Sequence, residues 1–372
     1  MSRALLLVLL LHVYIGARLA PALPHPWVLG MPLALWLVAS AVLMPMGLRA
    51  RHRQGEASER VVWAGLIAMG SFSSLFVLTL LRDVTLVALR LAHVDLLPQL
   101  RVWTAVTVPL LAALLTLVGF VNARRRARVR AVDVPIAGLP ASLAGFTIAQ
   151  ISDLHVGPTI KRGYVEAVVD AVNALEADLI AVTGDLVDGA VAQLAPHTAP
   201  LARLRARHGT YFVTGNHEYY SGVHAWVREL QRLGLRVLMN EHVVVLHGGA
   251  RLVLAGVTDY GAHHFHAAHQ SDPERALDGA PPSAAVRVLL AHQPRSAFAA
   301  ARAGYDLQLS GHTHGGQFVP WNFFVRFWQP FTAGLHRLGT LWVYVSRGTG
   351  YWGPPKRLGA PSEITRIRLV PA

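Results

Sequence analysis

The chain has 372 residues, a length that predicts about two domains at roughly 150 residues each. It is 53% hydrophobic and 15% charged, whereas charged residues make up about 25% of a typical soluble domain, so part of the chain is expected to lie in lipid. The absence of cysteine excludes disulfides, thiolate metal sites and cysteine nucleophiles. The net charge of +13 is compatible with binding to an anionic membrane surface or to nucleic acid. The positions of the arginines along the chain must distinguish these two kinds of partner.

Four apolar segments occupy most of the first 130 residues, at roughly 4–19, 27–48, 61–81 and 102–121. A spanning helix needs about 20 mostly apolar residues, so the last three are long enough and the first is short. A fifth segment at 84–97 contains Arg90, His93 and Asp95. We interpret it as amphipathic or interfacial, with a fifth span as the open alternative. The sequence therefore predicts an all-α transmembrane domain at 1–122, a basic juxtamembrane linker at 123–142 and a further domain at 143–372.

The distribution of arginine predicts the orientation of the transmembrane domain. With four spans, the N-terminus, the second loop and the segment after the fourth span share one side. That side carries Arg3, Arg49, Arg51, Arg53, Arg60, Arg124, Arg125, Arg126, Arg128 and Arg130. The rule places the C-terminal domain in the cytoplasm, and we expect an integral protein of a bacterial inner or cell membrane. A fifth span would reverse this orientation.

Two alternatives concern these basic and N-terminal segments. Residues 1–22 are also compatible with a cleavable signal peptide, whose removal would leave the side of the C-terminal domain unchanged. The arginine run after the fourth span is better placed to contact anionic lipid headgroups, at about 1 kcal/mol per basic residue, than to bind nucleic acid. Membrane lipids are therefore expected partners, and nucleic acid is not.

The rest of the chain alternates apolar runs with polar loops. Runs at 146–151, 178–182 and 211–214 predict strands, and apolar residues at helical spacing predict helices at 163–176, 201–207 and 223–233. Later strands are predicted at 236–238, 243–246, 252–255, 286–291, 307–309, 341–346 and 364–369. Early strand–helix alternation followed by strand-rich sequence predicts an α/β fold with two packed sheets and helices outside.

Metal-type side chains follow these predicted strands where each strand ends. They are Asp153, His155, Asp185, Asn216, His292, His312 and His314. Oxygen and imidazole ligands without thiolate suit zinc, iron or manganese rather than calcium. Seven ligands are too many for one ion and sufficient for two if one carboxylate bridges. Two ions about 3.5–4 Å apart can hold a hydroxide nucleophile and clamp the oxygens of a phosphoryl group.

Five motifs in chain order resemble those of the calcineurin-like metallophosphoesterase superfamily. They are Asp153-Leu154-His155, Gly184-Asp185-Leu186-Val187-Asp188, Gly215-Asn216-His217-Glu218, the lone His292 and Gly311-His312-Thr313-His314. The similarity covers roughly residues 143–370. The multi-span N-terminus and the motifs at 311–317 and 346–350 are similar to a membrane-anchored branch that includes transmembrane metallophosphoesterase-domain proteins and YkuE/YaeI-type phosphodiesterases.

The resemblance implies a four-layer α/β/β/α sandwich and a role for each site residue. One ion would be held by Asp153, His155 and His314. The other would be held by Asn216, His292 and His312. Asp185 would bridge the ions, and His217 would stabilise a phosphoryl oxygen or protonate the leaving alkoxide. Asp188 and Glu218 are expected to orient the ligands through hydrogen bonds.

Several other side chains are candidates for substrate contact. Arg347 and Arg357, near glycine-rich turns, would bind a diphosphate or carboxylate, or else remain solvated. Trp321 and Trp328 border an aromatic segment, which is either a packed helix or an apolar lid that meets an acyl chain. The histidine-rich stretch at 263–269 has no strand before it, so we interpret it as a flexible loop near the site entrance.

The predicted function is a membrane-anchored, dinuclear metal-dependent phosphoesterase. Its substrate would contain a phosphodiester or pyrophosphate bond in a lipid or nucleotide-linked lipid, such as one of the UDP-2,3-diacylglucosamine type. A nuclease is the first alternative, although the densest arginine cluster lies beside the membrane segment rather than along the site. A non-catalytic membrane sensor or binding protein is the second.

Overall fold

The computed structural model describes residues 3–51, 55–94 and 97–372. The chain forms two compact units. One consists of Met1–Arg124 and Gly353–Leu358, and the other of Arg125–Trp352 and Gly359–Ala372. Arg53 in the second loop and Asp95 in the fifth apolar segment lie outside the described residues.

The first unit is helical. Its helices are α1 (Arg3–Leu19), α2 (Pro26–Ala50), α3 (Glu56–Leu91) and α4 (Leu97–Arg124). Within the described part of the chain, these four helices contain segments long and apolar enough to cross a membrane. Residues 84–91 of the predicted fifth segment continue α3 rather than forming a helix of their own. The helix continues through Arg82 and Asp83, whose charges are paired, with Arg82 Nη1 3.1 Å from Asp83 Oδ1.

The second unit contains two sheets, each with six strands in the described residues. The first sheet, in spatial order, consists of β1 (Arg128–Ile136), β12 (Glu363–Pro371), β2 (Thr147–Ile151), β3 (Leu179–Val182), β4 (Thr210–Phe212) and β5 (Arg236–Val237). The second consists of β10 (Gly334–Leu338), β11 (Leu341–Val345), β9 (Leu307–Ser310), β8 (Val286–Leu290), β7 (Ala250–Gly256) and β6 (Glu241–His247). The helices are α5 (Arg162–Asn173), α6 (Val191–Thr198), α7 (Asn216–Tyr220), α8 (Val223–Arg232), α9 (Ala297–Ala303) and α10 (Trp321–Phe324).

Alternation of side chains along the strands builds the layers of this unit. In β3, Leu179 packs into the core between the two sheets, whereas Ile180 packs against the helical layer that includes Trp226 of α8. In β8, Val288 likewise faces the core between the sheets, and Leu289 joins the cluster that contains α9. The result is the predicted four-layer α/β/β/α sandwich.

Parallel pairing brings the loops of the site to common edges. Strands β2, β3 and β4 are parallel neighbours in the first sheet, and β7, β8 and β9 are parallel neighbours in the second. The carboxyl ends of parallel strands lie at the same edge of a sheet, where the following loops can meet. The segment 123–142, predicted as a linker, instead contains β1, which pairs in parallel with β12.

Candidate metal centre

The predicted ligands follow β2, β3, β4, β8 and β9, and many of them have left-handed backbone geometry. Positive φ angles occur at Asp153 (53°), His155 (52°), Asp185 (51°), His312 (70°) and His314 (52°). Such a conformation is uncommon for a residue with a Cβ atom and costs on the order of 1–3 kcal/mol. It persists only where the surroundings fix it, and its concentration in these loops marks a functional site.

The first ligand group joins the loops after β2 and β9. Asp153, His155 and His314 each offer a ligand atom within 4.8 Å of the others. His155 Nε2 lies 3.0 Å from His314 Nε2, and His314 Nε2 lies 3.5 Å from Asp153 Oδ1. His155 Nδ1 is 2.9 Å from a carboxylate oxygen of Asp188. Because a carboxylate accepts, Nδ1 carries the proton and Nε2 presents its lone pair to the group.

The second ligand group joins the loops after β3, β8 and β9. It consists of Asp185, His292 and His312. His292 Nε2 lies 3.2 Å from Asp185 Oδ2 and 3.2 Å from His312 Nδ1. The other nitrogen, His292 Nδ1, donates to the carbonyl oxygen of Thr183 at 2.8 Å, so Nε2 is the nitrogen that faces the group.

Asp185 lies between the two groups. Its Oδ2 is 3.2 Å from His292 Nε2 in the second group and 3.8 Å from His155 Nε2 in the first. Gly215 allows this approach, since a Cβ there would lie 2.2 Å from Asp185 Oδ1. This placement fits a carboxylate that bridges two cations.

Asn216 provides the test of whether cations fit these groups. Its Oδ1 is buried, and no hydrogen-bond donor among the described residues reaches it. Burying a polar atom without a partner costs about 1–3 kcal/mol, a cost that binding a cation would remove. An amide oxygen together with carboxylates and imidazoles suits manganese, iron or zinc. The residues present therefore fit two divalent cations.

Asp188 and Glu218 form hydrogen bonds with the loops that carry the predicted ligands. Asp188 Oδ1 accepts a hydrogen bond from Nδ1 of His155 at 2.9 Å and from Nδ1 of His217 at 2.6 Å. The buried Glu218 carboxylate accepts from three backbone N–H groups, those of Asp185 (3.0 Å), Leu186 (2.8 Å) and Gly215 (2.7 Å). It thereby links the loops after β3 and β4, as expected for a residue that orients ligands.

Comparison with known proteins identifies the family. Residues 146–316 match the family model described as calcineurin-like phosphoesterase. An uncharacterized metallophosphoesterase of Aquifex aeolicus is 33% identical over 225 residues, which cover 60% of this chain and 84% of that protein. The chain belongs to the calcineurin-like metallophosphoesterase family.

Two other relatives of this metallophosphoesterase match over a larger share of its chain. A Bos taurus protein named transmembrane protein with metallophosphoesterase domain is 43% identical over 274 residues, or 71% of this chain and 62% of that protein. An uncharacterized metallophosphoesterase of Helicobacter pylori (strain J99) is 37% identical over 258 residues, or 68% of this chain and 66% of that protein. The matched region thus spans less than two thirds of these relatives' length.

The buried charges of the metallophosphoesterase centre depend on one another. Burial favours a neutral carboxyl, but the imidazolium of His292 holds the pKa of Asp185 well below its ordinary value. Burial likewise disfavours the imidazolium, yet Asp185 holds the pKa of His292 well above its ordinary value. Burial and the charge on His292 lower the pKa of His312 to about 3. Without cations, the centre therefore contains an ion pair at neutral pH, and cations must displace the proton of His292.

His217 lies beside the two ligand groups. Its Nε2 is 3.9 Å from Asp185 Oδ2, and its ring contacts that of His155 at a centroid distance of 4.6 Å. Burial would lower its pKa, but Asp185 and Asp188 raise the pKa to about 9. The ring is therefore protonated at neutral pH in the absence of cations, with Nδ1 bonded to Asp188 and Nε2 available to donate.

The predicted substrate contacts have different surroundings. Trp321 and Trp328 are 40% and 61% exposed. Arg347 is half-buried, and its Nη1 donates to a carboxylate oxygen of Glu363 at 3.0 Å. Arg357 is buried and belongs to the helical unit, whereas the predicted metal ligands belong to the sandwich unit.

Two further residues lie close to this centre and were not among the predicted site residues. Trp352 lies with its ring centroid 5.7 Å from that of His217, and Gln317 forms two hydrogen bonds with the backbone of Trp352. Gln317 is the last residue of the motif at 311–317, and Trp352 follows the motif at 346–350 by two residues. Those motifs were the only signal available, since neither residue is of a metal-binding type.

Proposed function

We propose that this metallophosphoesterase is a membrane-anchored hydrolase that uses two divalent cations, of manganese, zinc or iron, to cleave a phosphodiester or pyrophosphate bond. The observation that carries the proposal is the pair of ligand groups that meet at Asp185, together with the unpartnered Oδ1 of Asn216. One cation would be held by Asp153, His155 and His314. The other would be held by Asn216, His292 and His312.

Bound there, the cations would supply Lewis acidity to the phosphoryl oxygens and lower the pKa of water. The remaining chemistry belongs to the protein. In the overall reaction a water oxygen bonds to phosphorus, the bond to the leaving oxygen breaks, and the water's displaced proton passes to solvent. The leaving oxygen takes a proton from Nε2 of His217, which solvent then restores. Asp188 holds the ring through Nδ1, and proton transfer from a positioned acid contributes about 10²–10⁴-fold to the rate.

We further propose that the substrate is a lipid or a nucleotide-linked lipid, such as one of the UDP-2,3-diacylglucosamine type. Two features support this choice. The same chain carries four helices apolar enough to cross a membrane. The segment from Trp321 to Trp328 exposes aromatic side chains, with Phe327 and Trp328 the most exposed, and Arg326 lies within the same segment. Exposed aromatic residues beside arginine are typical of surfaces that meet a lipid interface.

We also propose that the protein lies in a bacterial cell membrane with the sandwich unit in the cytoplasm. The support for this orientation is the arginine distribution, because the loop after α2 and the segment after α4 are the most basic parts of the membrane region.

Hydrolysis by the full-length protein in detergent tests the proposal. Bis-p-nitrophenyl phosphate, p-nitrophenyl phosphate and a UDP-linked diacyl sugar would each be supplied with Mn²⁺ or Zn²⁺, beside an Asp185→Asn control. We expect turnover of the diester or the lipid that disappears in the control. A metal-loaded protein that is inert toward all three would contradict the enzyme and favour a sensor. Turnover of the soluble diester without the lipid would contradict the lipid substrate alone.

A further inference from the structure

Aromatic side chains from three different segments form an exposed cluster beside His217. The ring of Tyr220 lies 5.2 Å from that of His217 at an interplanar angle of 68°, and the ring of Trp352 lies 5.7 Å away at 75°. Phe265 in turn contacts Tyr220 at 5.6 Å. Tyr220 is 63% exposed, and Phe265 and Trp352 are each 47% exposed. Contiguous exposed aromatic side chains usually mark a binding surface.

Trp352 is held firmly in this position by the segment that precedes it. Gly350 approaches the metal-ligand loop so closely that a Cβ there would lie 2.1 Å from the carbonyl oxygen of Leu154. The backbone N–H of Gly350 donates to the carbonyl of Asp153 at 3.0 Å, and that of Thr349 donates to the carbonyl of Ser152 at 2.7 Å. The 346–350 motif is thus fastened along the loop that carries two predicted ligands.

Gln317 fixes the backbone of Trp352 itself. Its Oε1 accepts from the N–H of Trp352 at 2.9 Å, and its Nε2 donates to the carbonyl of Trp352 at 2.9 Å. Gln317 is buried, and it has a positive φ of 57° with a ψ of −49°. This conformation is costly for a residue with a side chain, at about 1–3 kcal/mol. It follows the ligand His314 by three residues, so one loop supplies both a metal ligand and the clamp on Trp352.

We propose that Trp352 determines specificity for the leaving group and that Gln317 is its positioning residue. The inference rests on the proposed function, in which His217 protonates the leaving oxygen. The group attached to that oxygen must then lie next to His217, where the indole and the phenol of Tyr220 form its walls. These walls favour a leaving alcohol that carries an aromatic or other apolar group over a small polar alcohol, because aromatic surface gains from burial and ring contacts.

Two methyl phosphodiesters that differ only in the leaving alcohol test the inference. One releases p-nitrophenol and the other releases trifluoroethanol, which is followed by fluorine NMR. For Trp352→Ala in the metal-loaded full-length protein, we expect kcat/KM for the nitrophenyl ester to fall about tenfold, a loss of ~1.4 kcal/mol. We expect this loss to lie mainly in KM and to be at least fivefold larger than the loss for the trifluoroethyl ester. Equal losses on both esters would overturn the proposal.

Three further variants separate positioning from a general structural effect. Trp352→Phe retains an aromatic wall and should recover most of the nitrophenyl activity. Gln317→Ala should show the same substrate-dependent loss as Trp352→Ala, and a loss that does not depend on the leaving group would overturn its positioning role. Phe298, exposed on α9, is the matched control, and Phe298→Ala should leave both esters unaffected. If the unaltered protein hydrolyses neither ester, that result would instead contradict the proposed function.

Discussion

At the level of single residues, the site depends on which group each of the two ring nitrogens of a histidine contacts. His155 and His217 both direct Nδ1 to Asp188, yet their other nitrogens have different roles. The Nε2 of His155 lies 3.0 Å from Nε2 of His314, and we propose it as a metal ligand, whereas we propose that Nε2 of His217 donates a proton. One carboxylate thus orients the rings of both the proposed ligand His155 and the proposed proton donor His217.

Replacing His217 should separate catalysis from metal binding. In His217→Ala all seven proposed metal ligands remain, including Asp185. The metal content measured by mass spectrometry should therefore be unchanged. We expect kcat for the trifluoroethyl methyl phosphodiester to fall about 10²–10⁴-fold, because its leaving alkoxide is more basic than p-nitrophenolate and loses its proton donor. Full activity of the variant on every accepted ester would contradict the role of His217.

Metal affinity should depend on pH through His292. Without cations its pKa is raised well above the ordinary value by Asp185, despite burial, and a cation can bind Nε2 only after that proton leaves. We therefore expect the apparent affinity for Zn²⁺ to fall as the pH is lowered from 8 to 6, and binding at neutral pH to release protons. Calorimetry in two buffers of different ionisation enthalpy measures the release, and identical heats in both buffers would refute it.

At the scale of elements, the sequence predicts most strands and the site at their ends. The apolar runs at 146–151, 178–182 and 286–291 correspond to β2, β3 and β8. Both faces of these strands are largely buried, so most of their residues are apolar, with exceptions such as Gln150 and Arg287. Strand β1 lies in the segment predicted as a linker, because that segment begins with the arginine run after the fourth span. It becomes a strand by pairing with β12, where Arg368 Nε donates to Asp133 Oδ1 at 2.8 Å.

Short helices were predicted less well than strands. Residues 201–207 were expected to be helical, but the structure has a 3₁₀ turn at Ala199–Arg203 and the helix α6 before it. Pro196 inside α6 argues against a helix on local grounds, and packing of Leu194 and Leu201 into the core overrides that preference. Tertiary contacts of this kind are not visible in the sequence. For the same reason the approach of Trp352 to His217 could not be predicted.

The turn between β4 and α7 should tolerate no side chain at Gly215. A Cβ there would lie 2.2 Å from Asp185 Oδ1 and 2.6 Å from its backbone nitrogen, so Gly215→Ala must displace the bridging carboxylate. We expect loss of at least one cation and of activity. Gly163 in α5 is the matched control, since a Cβ there meets nothing within 4 Å. Gly163→Ala should retain both the bound cations and the activity. Normal metal content in Gly215→Ala would contradict this prediction, because it would show that the Asp185 carboxylate can move without loss of a cation.

At the scale of the whole molecule, the division into units does not follow the order of the sequence. Segment Gly353–Leu358 belongs to the helical unit, although its neighbours in sequence belong to the sandwich. Lys356 from this segment is buried, and its Nζ donates to the carbonyl of Gly70 at 3.0 Å and to Thr116 Oγ1 at 3.2 Å. Gly119 leaves room for the lysine, since a Cβ there would lie 2.6 Å from Lys356 Cγ. No local pattern in the sequence predicts this return of the chain.

The orientation of the chain in the membrane is open to a direct test. The sequence contains no cysteine, so Arg251→Cys, at an exposed position of β7, introduces a single reporter thiol. With the sandwich unit in the cytoplasm, as the arginine distribution predicts, a membrane-impermeant maleimide should label the thiol only after the cells are lysed. Labelling in intact cells would place the unit on the opposite side.

Cation content and turnover, determined on the same protein preparation, decide whether the protein is a dinuclear phosphoesterase. We predict that the purified full-length protein binds about two divalent cations and hydrolyses bis-p-nitrophenyl phosphate in proportion to occupancy. Asn216→Ala, which removes the unpartnered oxygen but leaves Asp153, His155 and His314 intact, should retain about one cation and lose most activity. Two cations with full turnover in that variant, or turnover by the unaltered protein after complete removal of cations, would contradict the dinuclear phosphoesterase.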